Sequence, residues 1–220
     1  MLDRMRENLR GPRAALPVLP EGERRLHQPA NLIGKEAAAA ILNRRSNDGA
    51  LADPFGKIDP SNTAGTYQAV PPFDILFAPF WKNMQPFGIT SASQFRVAPQ
   101  PSLESKIYAD GFEEVKRLGS KLSTERSAEQ TAYAQFWYEF SEAGWNRVSR
   151  NAVISKKSDL FTSARLFALV DMALADAYTA GWDSKFHYNF WRPFTAIRNA
   201  TIDGNPATSA GLSIHTQCAW

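Results

Sequence analysis

The chain has 220 residues, of which 44% are hydrophobic and 12% aromatic, and its formal net charge is +3. This length and apolar content suit one folded domain. The basic residues are scattered, which argues against nucleic-acid binding, and the single cysteine excludes an intrachain disulfide and a thiolate metal site. Neither a secretory signal nor an uninterrupted apolar run of about 18 residues is visible. The sequence as it stands therefore predicts a cytoplasmic protein without a membrane span, although its compartment stays open.

The first thirty residues are rich in arginine and proline, and they predict a mobile arm. Residues 31–220 are then expected to form one partial helical domain. Its first helix should begin near Leu32 and carry the strong helix-forming run Ala37–Leu42. The sequence Asn47-Asp48-Gly49 should end it.

Residues 50–101, called the wrap below, contain eight prolines and cannot form a long helix. They also contain too many aromatic residues for a disordered linker. We therefore expect an ordered, irregular segment that lies over the helices. A structural clamp is the favoured interpretation, and a wall of a binding site is the alternative.

Three further helices are predicted between the wrap and residue 158. Ser102 should cap the first of them and Gly119 should end it. Ser127 and Gln130 form a capping-box pattern at the start of the next one. A less regular helix is expected over about 145–153.

The fifth predicted helix runs from about Asp159 to Gly181 and is apolar on nearly all sides, so it should be central. Beyond its first residue it carries the carboxylates Asp171 and Asp176. Either could orient a basic residue inside the bundle, and a structural salt link is the favoured role.

Lys185 and Arg192 are the candidate site residues that follow this helix. On a continuous helix their spacing falls about 20° short of two full turns, which would put both on one face. Pro193 pushes Arg192 out of the helical region, so a helix end, a turn and a new short helix to Asn199 are expected between and after them. Such a pair suits a tetrahedral oxyanion. The alternative, which spacing alone favours, is that both side chains reach into solvent with their stems along aromatic rings.

The residues around this pair resemble the first signature of the vanadium-dependent haloperoxidases. Trp182 precedes Lys185, six residues separate Lys185 from Arg192-Pro193, and Ala196–Arg198 follow. The family shares its fold and site with the type 2 phosphatidic acid phosphatases and bacterial acid phosphatases. Upstream segments that resemble the family, in its order, are Gly34–Leu42, Val115–Gly119, Ser127 with Gln130, Phe136-Trp137, Arg165–Leu169 and Asp176-Ala177. The resemblance implies a partial all-α helical bundle of this type, with the wrap as its long proline- and aromatic-rich irregular segment.

The resemblance also implies that Lys185 and Arg192 bind vanadate or phosphate. The family completes this site with a Ser-x-His motif and a later arginine and histidine. Ser213 and His215 have the spacing of that second motif in a different context, which makes His215 a further cofactor-binding candidate. His187 could serve as an acid or a base, but a satisfied or surface histidine is the favoured interpretation, because nothing at helical spacing partners it.

Two classes of function follow from this resemblance. One is an enzyme segment that oxidises halide with peroxide at a histidine-bound vanadate or, alternatively, hydrolyses phosphate esters. We expect it to be inactive alone, because the distal motifs are missing, and to be either truncated or completed by another chain. The other is a non-catalytic helical interaction module, which could form a homo-oligomer.

Overall fold

The computed structural model describes the backbone of residues 21–211 and the side chains of residues 31–211. The chain divides after Asn47 into two units, each described by itself. In the first unit the helix α1 spans Glu21–Arg44. It starts eleven residues before the predicted start near Leu32 and continues through Pro29, one of the prolines that suggested a mobile arm. The predicted boundary at residue 30 thus falls inside α1, and residues 1–20 of the predicted arm lie outside the described part.

The second unit begins with the wrap, whose only regular elements are short. Strands β1 (Phe55–Lys57) and β2 (Ile75–Phe77) pair antiparallel, with Gly56 opposite Leu76. A 3-10 helix over Pro79–Asn83 follows. These two three-residue strands are the only sheet in residues 21–211, so the predicted helical fold class is confirmed.

Five helices follow the wrap in the part of the chain up to residue 211. Gly119 caps the C-terminal end of the first and Ser127 forms a capping box with Gln130 at the start of the second, both as predicted. The N-cap of the first is Ser105, not Ser102, because Ser105 Oγ accepts from the N–H of Tyr108 at 3.1 Å. The helices are α2 (Lys106–Leu118), α3 (Ala128–Phe136), α4 (Ser141–Lys156), α5 (Leu160–Tyr188) and α6 (Pro193–Arg198), and a 3-10 turn over Ala200–Ile202 ends the series.

The wrap is hydrogen-bonded along the C-terminal half of α5, which confirms that it is ordered. Arg96 makes two hydrogen bonds to Asp183, at 2.7 and 2.9 Å. Trp182 Nε1 donates to the carbonyl of Phe77 at 3.1 Å, and the Tyr188 hydroxyl donates to the carbonyl of Val97 at 2.7 Å. Long-range hydrogen bonds therefore hold in place a segment that has little regular structure of its own.

Asp171 and Asp176 do not form the predicted salt link in the described part of the chain, whereas Asp183, further along α5, pairs with Arg96. Buried Asp176 accepts from the backbone N–H groups of residues 87, 88 and 89, at 2.6, 2.7 and 3.1 Å. Asp171 accepts from the side-chain amide of Asn146 at 2.9 Å. That expectation is wrong for Asp176 because peptide groups of the wrap, which only the tertiary fold brings there, satisfy its oxygens.

The hydrophobic core lies between α2 and α6. Its buried members are Phe112, Trp191, Ala196, Ile197 and Ala200. The expectation that α5 is central is wrong for its N-terminal turns, since Phe161 is 86% exposed. None of the described helices has both the length and the apolar character that a membrane span needs.

Candidate functional site

Lys185 and Arg192 flank the connection between α5 and α6. Lys185 lies in the last turn of α5, and its carbonyl accepts from the N–H of Asn189 at 3.0 Å. Asn189 is left-handed, with φ of 47°, and ends the helix. Arg192 is extended and is the N-cap residue of α6, whose first residue is Pro193. The predicted helix end, turn and helix start are therefore confirmed.

Both cations contact the ring of one tyrosine in the wrap. Lys185 Nζ lies 5.3 Å from the centroid of the Tyr67 ring, and Arg192 Cζ lies 5.6 Å from the same centroid. The two charged groups are therefore no further apart than the sum of these two distances. Tyr67 itself is only 6% exposed. The structure thus brings together the two residues that the sequence singled out.

Lys185 lies among aromatic rings. Its Nζ is 5.1 Å from the Trp182 ring and 5.0 Å from the Phe186 ring, in addition to Tyr67. Within residues 31–211 it forms no ion pair with a carboxylate. Burial, and then the positive charge of Arg192, lower the pKa of Lys185 from 10.5 to about 8. The ammonium still predominates at neutral pH, and an anion placed between the two cations would stabilise it.

A short pairing of two remote segments places Tyr67 at the cations. The N–H of Tyr67 donates to the carbonyl of Asn189, and the N–H of Trp191 donates to the carbonyl of Gly65, both at 2.8 Å. Thr66 and Phe190 form the antiparallel bridge between them. Gly65 has φ of +79°, a conformation that favours glycine. This pairing, residues 65–67 against 189–191, is called the clip below.

Sequence reasoning missed Tyr67. It belongs to the wrap, which was assigned a structural role, and no spacing rule relates it to a motif more than a hundred residues away. Its partial signal is the sequence Gly65-Thr66-Tyr67, a turn residue followed by β-formers within a proline-rich segment.

The histidines do not join the cations in the described part of the chain. His187 is exposed and packs edge-on against Tyr188, with a ring-centroid distance of 4.8 Å, which agrees with the favoured interpretation of a satisfied or surface histidine. His215 lies outside the described residues. Residues 31–211 contain no cluster of three or more metal-ligating side chains. An open depression of about 390 Å³ beside the clip is lined by residues 64–66, 100–103 and 188–190, and by neither Lys185 nor Arg192.

Comparison with known proteins places this pair within a recognised family segment. The family model described as the VCPO second helical-bundle domain matches residues 165–211, which contain both cations. Over 173 residues the chain is 32% identical to the vanadium chloroperoxidase of Curvularia inaequalis, an alignment that covers 68% of this chain and 27% of that protein. The chain thus spans about a quarter of the length of this curated relative.

A solved structure gives the same relationship. It is described as the first bacterial vanadium-dependent iodoperoxidase and superposes with a TM-score of 0.62 at 25% sequence identity. The superposition covers 76% of this chain and 44% of that one.

Proposed function

Since this chain is a vanadium haloperoxidase-like superfamily member, we propose that Lys185 and Arg192 form one half of a binding site for a tetrahedral oxyanion, vanadate or phosphate. The observation that carries the proposal is their shared contact with Tyr67. The Lys185 ammonium is desolvated and has no carboxylate partner among residues 31–211, and a planar guanidinium lies near it. That arrangement suits an anion with several oxygens.

The chemistry of these two residues is binding and orientation. Arg192 can donate two parallel N–H groups to two oxygens, while Lys185 supplies a compact charge to a third. Vanadate, when bound, supplies the activation of peroxide toward halide. The role of Lys185 and Arg192 would be to neutralise the charge on its oxygens and to hold its orientation.

Two cations alone bind an oxyanion weakly. A hydrogen bond to a charged group contributes about 1.5–3 kcal/mol, so the pair contributes roughly 3–6 kcal/mol before ordering costs. Before those costs this range corresponds to dissociation constants between several millimolar and roughly 40 μM. Ordering the two long side chains costs about 0.5–1.5 kcal/mol each, which brings the expected binding to about the millimolar range. We therefore propose weak oxyanion binding without detectable halide oxidation for the sequence as it stands, since the pair provides neither a nucleophile nor a general base.

Hydrolysis of phosphate esters is the second candidate. The same guanidinium fork and ammonium would hold a phosphoryl group as well as a vanadate, because both are tetrahedral oxyanions. If neither anion binds, the remaining hypothesis is a non-catalytic interaction module.

Calorimetric titration with vanadate and with phosphate tests the proposal. We expect millimolar binding to the parent chain and at least a tenfold loss in Lys185→Ala and in Arg192→Ala. Arg198→Ala is the matched control, since Arg198 is an exposed arginine of α6 that stacks on the Phe194 ring at 4.0 Å. It should leave binding unchanged. Equal binding by the parent and by Lys185→Ala would contradict the proposal.

Activity assays separate the two candidates. Monochlorodimedone bromination reports halide oxidation, and p-nitrophenyl phosphate reports ester hydrolysis. Micromolar vanadate binding with bromination that disappears in Lys185→Ala would mean that a further residue completes the site, and His215 is the first candidate to substitute.

A further inference from the structure

Tyr67 differs from the other rings around Lys185 because it contacts both cations. Trp182 and Phe186 each lie about as close to Lys185 Nζ, at 5.1 and 5.0 Å. Among the ring contacts of the described residues, Tyr67 is the one shared with Arg192. A shared ring fixes each cation relative to the other, whereas a ring beside one cation fixes only that cation.

The physical reason for such a ring lies in the repulsion between the two cations. Like charges in a partly desolvated environment repel, and Arg192 indeed disfavours the charged form of Lys185. The negative face of an aromatic ring attracts an ammonium and a guanidinium, and more strongly where water is excluded. Tyr67 thus offsets part of the repulsion without introducing a carboxylate that would compete with an anion.

The position of Tyr67 is fixed independently of the two cations. Its ring is buried, and its backbone N–H is bound to the carbonyl of Asn189 in the clip. Asn189 lies between Lys185 and Arg192 in the chain. The same hydrogen bond therefore ties the ring to the connection that carries both cations.

We propose that Tyr67 is a positioning residue that holds Lys185 and Arg192 at the separation and orientation that one oxyanion needs. The inference rests on the oxyanion site proposed above. It assigns no contact between Tyr67 and the anion, so Tyr67 acts through the two cations alone.

Fluorination of the ring tests this role with little change of shape. Tyr67→Phe keeps the aromatic face, and a trifluorinated phenylalanine at position 67 keeps nearly the same volume with a much weaker negative face. We expect Tyr67→Phe to bind vanadate within twofold of the parent. The fluorinated protein should bind about threefold to tenfold more weakly. Thermal unfolding of both proteins verifies that they are folded.

A second readout needs no anion. The rate at which an amine-reactive ester acylates Lys185, followed by mass spectrometry across pH, reports the titration of its amine. Because the ring face favours the ammonium, the fluorinated ring at position 67 should lower the pKa of Lys185 relative to Tyr67→Phe. A trifluorinated phenylalanine at position 186 is the matched control. It should also lower that pKa but, since Phe186 has no contact with Arg192 among the described ring contacts, cost less vanadate affinity.

The outcomes distinguish this inference from the oxyanion site. Identical Lys185 titration in the Tyr67→Phe protein and its fluorinated counterpart would overturn the role of Tyr67. An equal loss of vanadate affinity at positions 67 and 186 would also overturn it, because the shared contact would then have no special effect. If the parent bound no vanadate, the oxyanion proposal would fail, and the anion-free titration would still show whether Tyr67 acts on Lys185.

Discussion

The N–H of Tyr67 donates to the carbonyl oxygen of Asn189 at 2.8 Å, and this bond connects the wrap to the residue that ends α5. Lys185 and Arg192 lie on either side of Asn189 in the chain. The wrap therefore acts as a structural clamp along α5 and also contributes Tyr67 to the candidate site. Changes that loosen the wrap are expected to weaken the site as well.

Asp176→Ala should destabilise the second unit by about 3 kcal/mol, because it leaves three backbone N–H groups of residues 87–89 without their acceptor. Asp171→Ala is the matched control on the same helix. Asp171 is exposed and accepts one hydrogen bond from Asn146, so its loss should cost under about 1 kcal/mol. Urea unfolding measures both, and similar midpoints for the two variants would contradict the anchoring role of Asp176.

Asp183→Asn should remove a contribution to the folding stability that depends on pH. The hydrogen bonds from Arg96 lower the pKa of Asp183 in the folded chain. A lowered carboxyl pKa adds stability above the unfolded value of about 3.9, and that stability is lost as the pH falls through the folded value. The parent should therefore unfold at a higher temperature than the variant at pH 7, and the gap should close in strong acid.

A control for that experiment is Asp110→Asn. Asp110 pairs with Lys106 at 2.6 Å, but both side chains are exposed, so the pair should contribute little. If the two variants lost the same stability at pH 7, the Arg96–Asp183 contact would have no special role in anchoring the wrap.

Lys185→Met should stabilise the ligand-free chain at neutral pH by roughly 2–3 kcal/mol, because the folded state disfavours the ammonium. The folded pKa of about 8 lies below the ordinary value of 10.5. Between these values the unfolded chain binds more protons, so the stability of the parent rises with pH. The difference between variant and parent should shrink from pH 8 to 10.5 in thermal or urea unfolding. A difference that does not vary with pH would contradict burial of a charged Lys185.

Sulfate binding should weaken as the pH rises through about 8. Sulfate keeps one charge state across this range, so the change reports the protein, and the lowered pKa of Lys185 places the loss of its proton there. Bound anion favours the ammonium, which shifts the transition to higher pH as sulfate increases. Calorimetry at several pH values measures the sulfate affinity of the parent and of Lys185→Met. The variant should bind weakly with little pH dependence, and parallel profiles would assign the titration to another group.

The amino-acid sequence by itself determined the local structure around the site. Capping at Ser127 and Gly119 and the break before Pro193 each depend on groups within about four residues, and such short-range hydrogen bonds are readable from spacing. The effect of a proline on the residue before it is equally short-range, and it predicted that Arg192 lies at the start of α6. The resemblance to the haloperoxidase signature predicted that Arg192 and Lys185 serve one anion site. The structure shows that both residues contact one ring.

Only the tertiary structure decided what surrounds that pair. Tyr67 reaches the cations through hydrogen bonds between remote segments, and Asp176 is satisfied by amides of the wrap instead of a basic residue. The pKa of Lys185 is lowered mainly by burial, to which the remote Tyr67 ring contributes beside the neighbouring Trp182 and Phe186 rings, and sequence spacing does not specify Tyr67. The physical reason is common to all three. Burial and long-range contacts depend on which segments the folded chain brings together, whereas caps and turns depend only on neighbours along the chain.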